Sequence, residues 1–263
     1  MSHTRETEIL LDAIQEAGSS IVKLQEHPIE TTYKSNNDPL TAADLLANDI
    51  LKKYLIGSFP HDGWLSEETV DDHARLTSQR IWIVDPIDGT KEFVKKIPEY
   101  SISVALVENG TPILSAVFNP MTRELFHAVK NQGAWLNGKP IHCDCRYDGK
   151  LKILASRTEM ADGVWSHFMK DSEVKAVGSI AYKLALVAAG MAHSTFSLGP
   201  KSEWDIAAGV LLVQEAGGIV TDKSYRPFVF NQKNIRVNGI IACTKGTYPI
   251  IHDLIQLATR EAI

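Results

Sequence analysis

Residues 82–90 read Trp82-Ile83-Val84-Asp85-Pro86-Ile87-Asp88-Gly89-Thr90, and no other segment of the chain is as informative. The apolar run before Asp85 predicts a buried strand, which we expect to end there because Pro86 cannot donate the next ladder hydrogen bond. Asp85 and Asp88 then flank a turn, where two carboxylates repel each other unless a cation lies between them. Oxygen ligands suit Mg2+, and the N–H groups of Gly89 and Thr90 at a helix start suit a phosphate. The segment therefore predicts a metal ion beside a phosphate.

A hairpin turn at Asp88-Gly89 is the better explanation of this segment when it is taken alone. Only acids elsewhere in the chain can favour the metal site, and Asp205 is one of them. It follows Trp204 and precedes the small pair Ala207-Ala208 at the start of a helical pattern. A plain N-cap aspartate accounts for Asp205, but capping does not require small neighbours that permit the close approach of a ligand.

Two further acids stand at the ends of predicted elements. Glu67 follows the apolar stretch Gly63-Trp64-Leu65-Ser66, and an exposed charged loop is the alternative interpretation. Asp44 lies in the first turn of a helix that Thr41 can cap, where the helix dipole favours an acid in any case. Each acid has an ordinary explanation by itself. Their combination with Asp85 and Asp88 favours a shared site.

The composition limits the classes of protein to which the chain can belong. With 263 residues, 44% of them hydrophobic, it has enough core for one large domain or two closely packed lobes. No run approaches the roughly 18 apolar residues of a membrane helix, and the start of the chain lacks a signal-peptide pattern, so we expect a soluble, cytoplasmic protein. A net charge of −5 argues against a nucleic-acid polymer as partner but allows a small phosphorylated ligand. The three cysteines are expected to be free thiols.

The hydrophobic periodicity predicts a mixed α/β fold. In the first half we expect helices at 6–25 and 41–56, followed by an antiparallel meander of strands at 101–107, 113–119 and 124–129. In the second half we expect strands at 151–155, 174–177 and 194–198 that alternate with helices at 161–169, 180–189 and from Asp205 onward. This alternation indicates a sheet covered by helices. The polar stretch Asp144 to Lys150 predicts the boundary between an N-terminal lobe of residues 1–145 and a C-terminal lobe of residues 146–263 in one compact unit.

These motifs, in this order, resemble the inositol monophosphatase superfamily of metal-dependent, lithium-sensitive phosphatases. The resemblance covers nearly the whole chain and rests on four segments: Asp38-Pro39-Leu40-Thr41-Ala42-Ala43-Asp44, Leu65-Ser66-Glu67-Glu68, Trp82 to Thr90, and Trp204-Asp205-Ile206-Ala207-Ala208-Gly209. It implies an α/β (α+β) fold, the layered α-β-α-β-α sandwich of inositol monophosphatases and fructose-1,6-bisphosphatases. It also implies hydrolysis of a phosphomonoester.

The resemblance further implies two to three Mg2+ ions, with Mn2+ as an alternative. One ion would be held by Glu67, Asp85 and the Ile87 carbonyl, and a second by Asp85, Asp88 and Asp205. A third would use Glu67 through waters. Asp44 and the Thr90 hydroxyl would orient and deprotonate the attacking water. Substrate would be bound by Asp88, Gly89, Thr90, Gly178, Ser179, Lys183 and Glu203.

The residues after Thr90, Lys91-Glu92-Phe93, resemble the 3'(2'),5'-bisphosphate nucleotidase branch. The leading hypothesis is therefore hydrolysis of adenosine 3',5'-bisphosphate to AMP, with Lys183 meeting the second phosphate. Lys183 lies one residue later than in that branch, and a solvent-facing lysine is its alternative interpretation. Ser197 stands where inositol phosphatases carry Glu and bacterial nucleotidases carry Arg.

Two alternative functions stay open. The first is an inositol-1-monophosphatase or broader sugar-phosphate phosphatase with the same metals. The second, a non-catalytic metal-dependent phosphate-binding protein, predicts the loss of at least one catalytic or metal-binding residue, and none is lost. The chain would be a monomer or a homodimer.

Overall fold

The computed structural model describes residues 3–26, 31–33, 39–166, 168–170 and 172–261. Asp38, the first residue of the Asp38 to Asp44 motif, lies outside the described residues. The helices of the described residues are α1 Thr4–Gln25, α2 Ala42–Ser58, α3 Thr90–Val94, α4 Arg157–Ala161, α5 Ile180–Ala188, α6 Glu203–Glu215 and α7 Tyr248–Glu261. In the described part of the chain, no helix has the length and apolar character needed to cross a membrane.

Most strands belong to two sheets. The strands are β1 Thr31–Tyr33, β2 Pro39–Thr41, β3 Gly63–Ser66, β4 Arg80–Asp88, β5 Ser101–Glu108, β6 Thr111–Asn119, β7 Glu124–Val129, β8 Gly133–Leu136, β9 Lys139–Ile141, β10 Leu151–Ser156, β11 Ser172–Val177, β12 Ser194–Ser197, β13 Lys201–Ser202, β14 Ile219–Thr221, β15 Arg236–Val237 and β16 Ile240–Cys243. Short 3-10 turns lie at Ala74–Thr77 and Lys245–Thr247. The pairs β1-β2 and β13-β15 form two small ribbons.

The first sheet has seven strands in the order β3-β4-β5-β6-β7-β8-β9. Strand β3 is parallel to β4, and every later neighbour is antiparallel, so the predicted meander is confirmed. Alternate residues of β4 face opposite ways: Trp82 and Val84 pack with α1 and α2, whereas Ile81 and Ile83 pack with α6. Both faces of this sheet are therefore buried, which explains why β4 is apolar without alternation.

The second sheet has five strands in the order β11-β10-β12-β16-β14. Strand β10 is parallel to both neighbours, and the pairs that involve β16 are antiparallel. Its outer face packs against Ile251 and Ile255 of α7 and against Trp165 and Phe168. Helices α5 and α6 lie between the two sheets and share one core with both. The layered α-β-α-β-α sandwich is thereby confirmed.

Two local predictions are wrong. Strand β4 continues past Asp85, pairing Asp85 with Ser103 and Asp88 with Ser101, which leaves one extra residue on β4. This bulge accommodates Pro86, because an unpaired position needs no N–H. The helix expected at 161–169 is replaced by α4 and by turns over residues 162–166. Its apolar pattern reflects core residues such as Trp165, which is 1% exposed, and not a helical face.

The predicted lobe boundary at residues 144–150 lies between the last strand of the first sheet and the first strand of the second. The division into lobes itself stays a prediction. The packing of α6 links the two halves closely, since this helix contacts β4, β5, β6 and β7 of the first sheet. A substitution in the middle layer is therefore expected to affect both halves.

We expect Gly209→Ala in α6 to lower the free energy of unfolding by about 1–3 kcal/mol, because a Cβ at Gly209 would lie 2.4 Å from Cδ1 and 2.6 Å from Cβ of Leu184 in α5. Alanine is otherwise the better helix former by about 1 kcal/mol. The control is Gly57→Ala in α2, where a Cβ meets nothing within 4 Å. This variant should gain stability. Urea unfolding of both measures the difference, and equal stabilisation would contradict the close packing of α5 on α6.

Candidate active site

The parallel pair β3-β4 brings Glu67 and Asp85 together. Ser66 pairs with Val84, and the Glu67 N–H donates to the Val84 carbonyl at 3.2 Å, so the next residues of the two strands lie side by side. The carboxyl ends of parallel strands are a common location for ligand sites. Asp85 is almost fully buried at 1% exposure, and its Oδ1 accepts from the Ile87 N–H at 3.1 Å.

The bulge of β4 leads directly into α3. Gly89 is the N-cap of α3 and has φ +96°, a conformation that favours glycine. A Cβ at Gly89 would lie 3.3 Å from the Glu99 carbonyl oxygen, which is tight contact. The bulge and this left-handed turn place Asp88, Gly89 and Thr90 on the same cleft.

Asp44 and Asp205 occupy the same local position in two different helices. Each is the third residue of its helix, and its Oδ2 accepts from the N-cap N–H: Thr41 at 2.8 Å for Asp44 and Ser202 at 2.7 Å for Asp205. The N-cap interpretation of Asp205 is therefore wrong by three residues, because Ser202 holds that position. In both helices the capping bond uses Oδ2 of the carboxylate and leaves Oδ1 for another contact.

Thr90 and Asp44 are in contact. The Thr90 hydroxyl lies 3.1 Å from Asp44 Oδ1 and 3.1 Å from the Ile87 carbonyl oxygen. Asp44 is 2% exposed, and burial raises its pKa although the hydrogen bonds from Thr41 and Thr90 act in the opposite direction. The two side chains predicted to orient a water are thus within hydrogen-bond distance of each other.

Four of the five predicted acids line one cleft of about 280 Å³, whereas Asp44 is not part of its lining and contacts Thr90, which is. Its acidic wall contains Glu67, Asp85, Asp88 and Asp205, beside Ile87, Gly89 and Thr90. The facing residues include Arg157, Thr158, Gly178, Ser179, Lys183, Ser197 and Lys201. A volume of this size and its polar lining fit a small charged substrate.

The acids repel one another. Burial, followed by the charges of Glu67, Asp88, Asp205 and Asp44, raises the pKa of Asp85 well above its ordinary value. Burial and the charge of Asp88 raise the pKa of Asp205 to about 7. Burial also raises the pKa of Asp88, against the hydrogen bond from Ser179. A cation among these groups would remove the repulsion.

The donor set is chemically suited to a hard divalent cation, since it consists of carboxylate oxygens and one carbonyl. In the described part of the chain, however, no three acid, histidine or cysteine side chains are already grouped as ligands of one ion. The acids line one cleft without converging on one point. Binding of an ion would therefore have to draw their side chains together.

The turn before α5 holds three residues of the predicted substrate set. Ser179 donates to Asp88 Oδ2 at 2.6 Å, and the Gly178 N–H donates to Glu99 Oε2 at 2.9 Å. Lys183 is 3% exposed, so its solvent-facing interpretation is wrong. Its ammonium donates to the carbonyls of Val177 at 3.1 Å and Ser179 at 3.0 Å, and burial lowers its pKa to about 8. All three residues line the cleft.

Glu203 is the one predicted substrate residue that does not line the cleft. It is fully buried, and its two carboxylate oxygens accept from the N–H groups of Asn231 at 2.7 Å and Gln232 at 2.8 Å. It therefore fixes the loop at residues 231–232. Burial raises the pKa of Glu203 to about 7 in spite of these two bonds.

Several cleft residues were missed by the sequence reasoning. Arg157 and Lys201 supply positive charge, and Arg157 pairs with Glu99 and lies 3.9 Å from Glu92. Arg157 follows β10, whose carboxyl end lies beside that of the parallel β11, so strand ends were a usable signal. Behind the cleft, Glu159 accepts from Ser197 Oγ at 2.6 Å, and no local sequence pattern pairs these two residues.

Comparison with known proteins agrees with this geometry. The sequence profile described as "Inositol monophosphatase family" matches residues 3–258. The chain is 35% identical to the Nus factor SuhB of Escherichia coli K12 over 226 residues, covering 81% of this chain and 84% of SuhB. It is 31% identical to the 3'(2'),5'-bisphosphate nucleotidase CysQ of Aggregatibacter actinomycetemcomitans over 246 residues, covering 88% of this chain and 91% of CysQ.

A solved structure extends the comparison to three dimensions. The Thermotoga maritima IMPase TM1415 superposes with a TM-score of 0.85 at 26% identity, covering 99% of each chain. The fold, the profile and the relatives agree across almost the whole length. The chain belongs to the inositol monophosphatase family of phosphomonoester hydrolases.

Proposed function

We propose that this protein is a Mg2+-dependent phosphomonoesterase whose ions are bound by Glu67, Asp85, Asp88, Asp205 and the Ile87 carbonyl. The observation that carries the proposal is the group of acids on one wall of the cleft, where burial raises the pKa of Asp85, Asp88 and Asp205 and neighbouring acids raise it further for Asp85 and Asp205. When bound, the ions would polarise the phosphoryl group and make a bound water more acidic. Mn2+ accepts the same oxygen ligands and is the alternative.

The chain's own residues would orient the water, accept its proton and hold the phosphate. The alkoxide that leaves when the P–O bond breaks would be stabilised by the bound ions and take its proton from water. Asp44, fixed through Oδ2 by Thr41, would accept a proton from the attacking water through Oδ1, with the Thr90 hydroxyl orienting that water. The N–H groups of Gly89 and Thr90 at the start of α3 would hold phosphate oxygens. These assignments agree with the contacts between Asp44, Thr90 and the β4 bulge.

The substrate we propose is adenosine 3',5'-bisphosphate, whose second phosphate would meet the basic side of the cleft. Arg157 and Lys201 supply this charge, and the Nε–H of Arg157 is buried without a hydrogen-bond partner in the described residues. Lys183 adds charge, but its protons are directed to backbone carbonyls. The similarity to CysQ, named a 3'(2'),5'-bisphosphate nucleotidase, supports the same choice.

Hydrolysis of inositol 1-phosphate is the second candidate, and one observation favours it. The Glu159 carboxylate lies 2.6 Å from the Ser197 hydroxyl and 3.9 Å from the Lys201 ammonium, which makes this end of the cleft less positive. A leaving group with several hydroxyls and no second phosphate suits such a wall. A non-catalytic binding role is disfavoured because the chain retains every residue assigned to metal binding or water activation.

Three properties inferred from the resemblance or the composition stay predictions. They are inhibition by lithium, a cytoplasmic location, and a monomeric or homodimeric state. None of them affects the assignment of the cleft.

Asp85→Asn should lower kcat by about a thousandfold, because a metal-ligand charge contributes several kcal/mol to transition-state stabilisation. The same change should raise the melting temperature of the metal-free protein, because it removes one of the repelling charges around Asp85. Turnover of adenosine 3',5'-bisphosphate and thermal unfolding in EDTA measure the two effects. The control is Asp49→Asn, an exposed acid on α2. Activity near that of the wild type at saturating Mg2+ would contradict the metal role.

The metal-free protein should lose stability as the pH rises. The pKa of Asp205 is about 7 in the folded state against an ordinary 3.8, so the folded state binds this proton more tightly between about pH 4 and pH 7. We expect the melting temperature in EDTA to be a few degrees lower at pH 8 than at pH 5.5, at about 2–4 °C per kcal/mol. Mg2+ should remove the loss, and Asp205→Asn should reduce it. If the melting temperatures of the wild type and of Asp205→Asn, both measured in EDTA, depend on pH in the same way, Asp205 is excluded as the cause.

Lys201→Gln should separate the two candidate substrates. We expect kcat/KM for adenosine 3',5'-bisphosphate to fall about tenfold, since an ammonium–phosphate hydrogen bond is worth about 1.5–3 kcal/mol. The value for inositol 1-phosphate should change by less than about threefold, since this ester has no second phosphate. Lys130→Gln, an exposed lysine, is the control. Turnover confined to inositol 1-phosphate in the wild type would reject the nucleotidase.

A further inference from the structure

We propose that Ser179 is a positioning residue for Asp88, and that it controls metal affinity without contacting the substrate. This role rests on the proposed function, in which Asp88 is a metal ligand. Asp88 Oδ2 receives two hydrogen bonds of 2.6 Å, one from Ser179 Oγ and one from the Ala181 N–H. Both fall on Oδ2, so the carboxylate is held from one side and Oδ1 is left to the ion.

The hydrogen bonds around Ser179 fix the direction of its only proton. Its oxygen lies 2.6 Å from Asp88 Oδ2, 2.9 Å from the Tyr182 nitrogen and 2.9 Å from the Ser101 oxygen. An ionised carboxylate only accepts and a backbone N–H only donates, so Ser179 donates to Asp88 and accepts from Tyr182. Ser101 must then donate to the second lone pair of Ser179. This chain of hydroxyls leaves Ser179 no proton to offer a substrate.

The turn that carries Ser179 is held on several sides. Lys183 donates to the carbonyls of Val177 and Ser179, and Glu99 accepts from the Gly178 N–H. A Cβ at Gly178 would lie 2.4 Å from the Glu99 carbonyl oxygen, so the turn packs directly on the loop before β5. Ser179 itself has φ +50° and ψ 119°, a backbone conformation that few residues other than glycine adopt. Such strain persists only where the surroundings enforce it.

These contacts connect the two halves of the chain at one metal ligand. Ser101 belongs to β5 of the first sheet, whereas Ser179 and Ala181 belong to the second half of the chain. Ser101 is fully buried and does not line the cleft. Ser101 is also the cross-strand partner of Asp88, but its hydroxyl is hydrogen-bonded to Ser179, so Ser101→Ala keeps the strand pairing and probes the positioning role.

The test is a titration of the full-length protein with Mn2+ in the absence of substrate. The EPR signal of the unbound ion measures the affinity. Loss of a hydrogen bond to a metal ligand typically weakens metal binding about 10-fold to 100-fold, and we expect this for Ser179→Ala. Ser179→Gly should behave alike, and glycine accepts φ +50° without strain. Ser101→Ala should weaken Mn2+ binding less, by about threefold. At saturating metal, KM for adenosine 3',5'-bisphosphate should stay within about twofold in all three variants.

The matched control is Ser156→Ala. Ser156 is also a serine N-cap that lines the cleft, but its hydroxyl accepts from the Glu159 N–H and contacts none of the site acids. Its loss should leave Mn2+ affinity unchanged. Because Ser179→Ala also removes a helix cap, melting temperatures without metal show whether each variant is folded, and Ser101→Ala leaves that cap intact.

Two results would overturn the proposal in different ways. Unchanged Mn2+ affinity together with a raised KM in Ser179→Ala would make Ser179 a substrate contact and leave the proposed function intact. A wild-type chain that binds no Mn2+ would overturn both the proposed function and the positioning role.

Discussion

Three aspartates and a glutamate of the proposed site line one small cleft, with Asp44 behind Thr90, and the repulsion between these acids is the constraint that the surrounding structure has to satisfy. Two like charges 5 Å apart at an effective dielectric of 20 repel by about 3 kcal/mol. The helices α2, α5 and α6 all begin at these acids, but a helix N-terminus offsets only about 0.3–1 kcal/mol of such a cost. Burial, and after it the charges of the neighbouring acids, raises the pKa of Asp85 in spite of these helix ends. A divalent cation bound among the acids would compensate far more of the repulsion than a helix end.

The chain holds its site aspartates by one common device. In each of them one oxygen accepts from a backbone N–H: Thr41 for Asp44, Ile87 for Asp85, Ala181 for Asp88 and Ser202 for Asp205. The four donors come from two helix caps, a bulge and the first turn of another helix. Different local structures thus give the same result, a carboxylate fixed through one oxygen, while the second oxygen of Asp44 accepts from Thr90. This fixation reduces the side-chain entropy that is lost when an ion binds.

The sequence could predict those features that depend on neighbouring residues. The capping of α2 by Thr41, the meander after Ser101 and the delivery of Asp85 by a buried strand are local, and the structure has them. The path of the chain past Pro86 was not predictable from proline chemistry alone, because a bulge removes the need for its missing N–H. The burial of Glu203 under residues 231–232 depends on a contact nearly thirty residues away, about which its own motif carries no information.

The site lies where the two halves of the chain meet, and its acids and its basic residues come largely from different halves. Most of the acids belong to the first half, and Asp205 reaches them because α6 packs on the first sheet. Most of the basic side of the cleft, with Arg157 and Lys201, comes from loops and strand ends of the second half. Substitutions there can alter the charge that faces the leaving group while the β4 bulge and its carboxylates stay unchanged. The metal site that we propose is thus separate from the residues that would select the ester, and the contact of Glu159 with Ser197 and Lys201 reduces the positive charge of that wall.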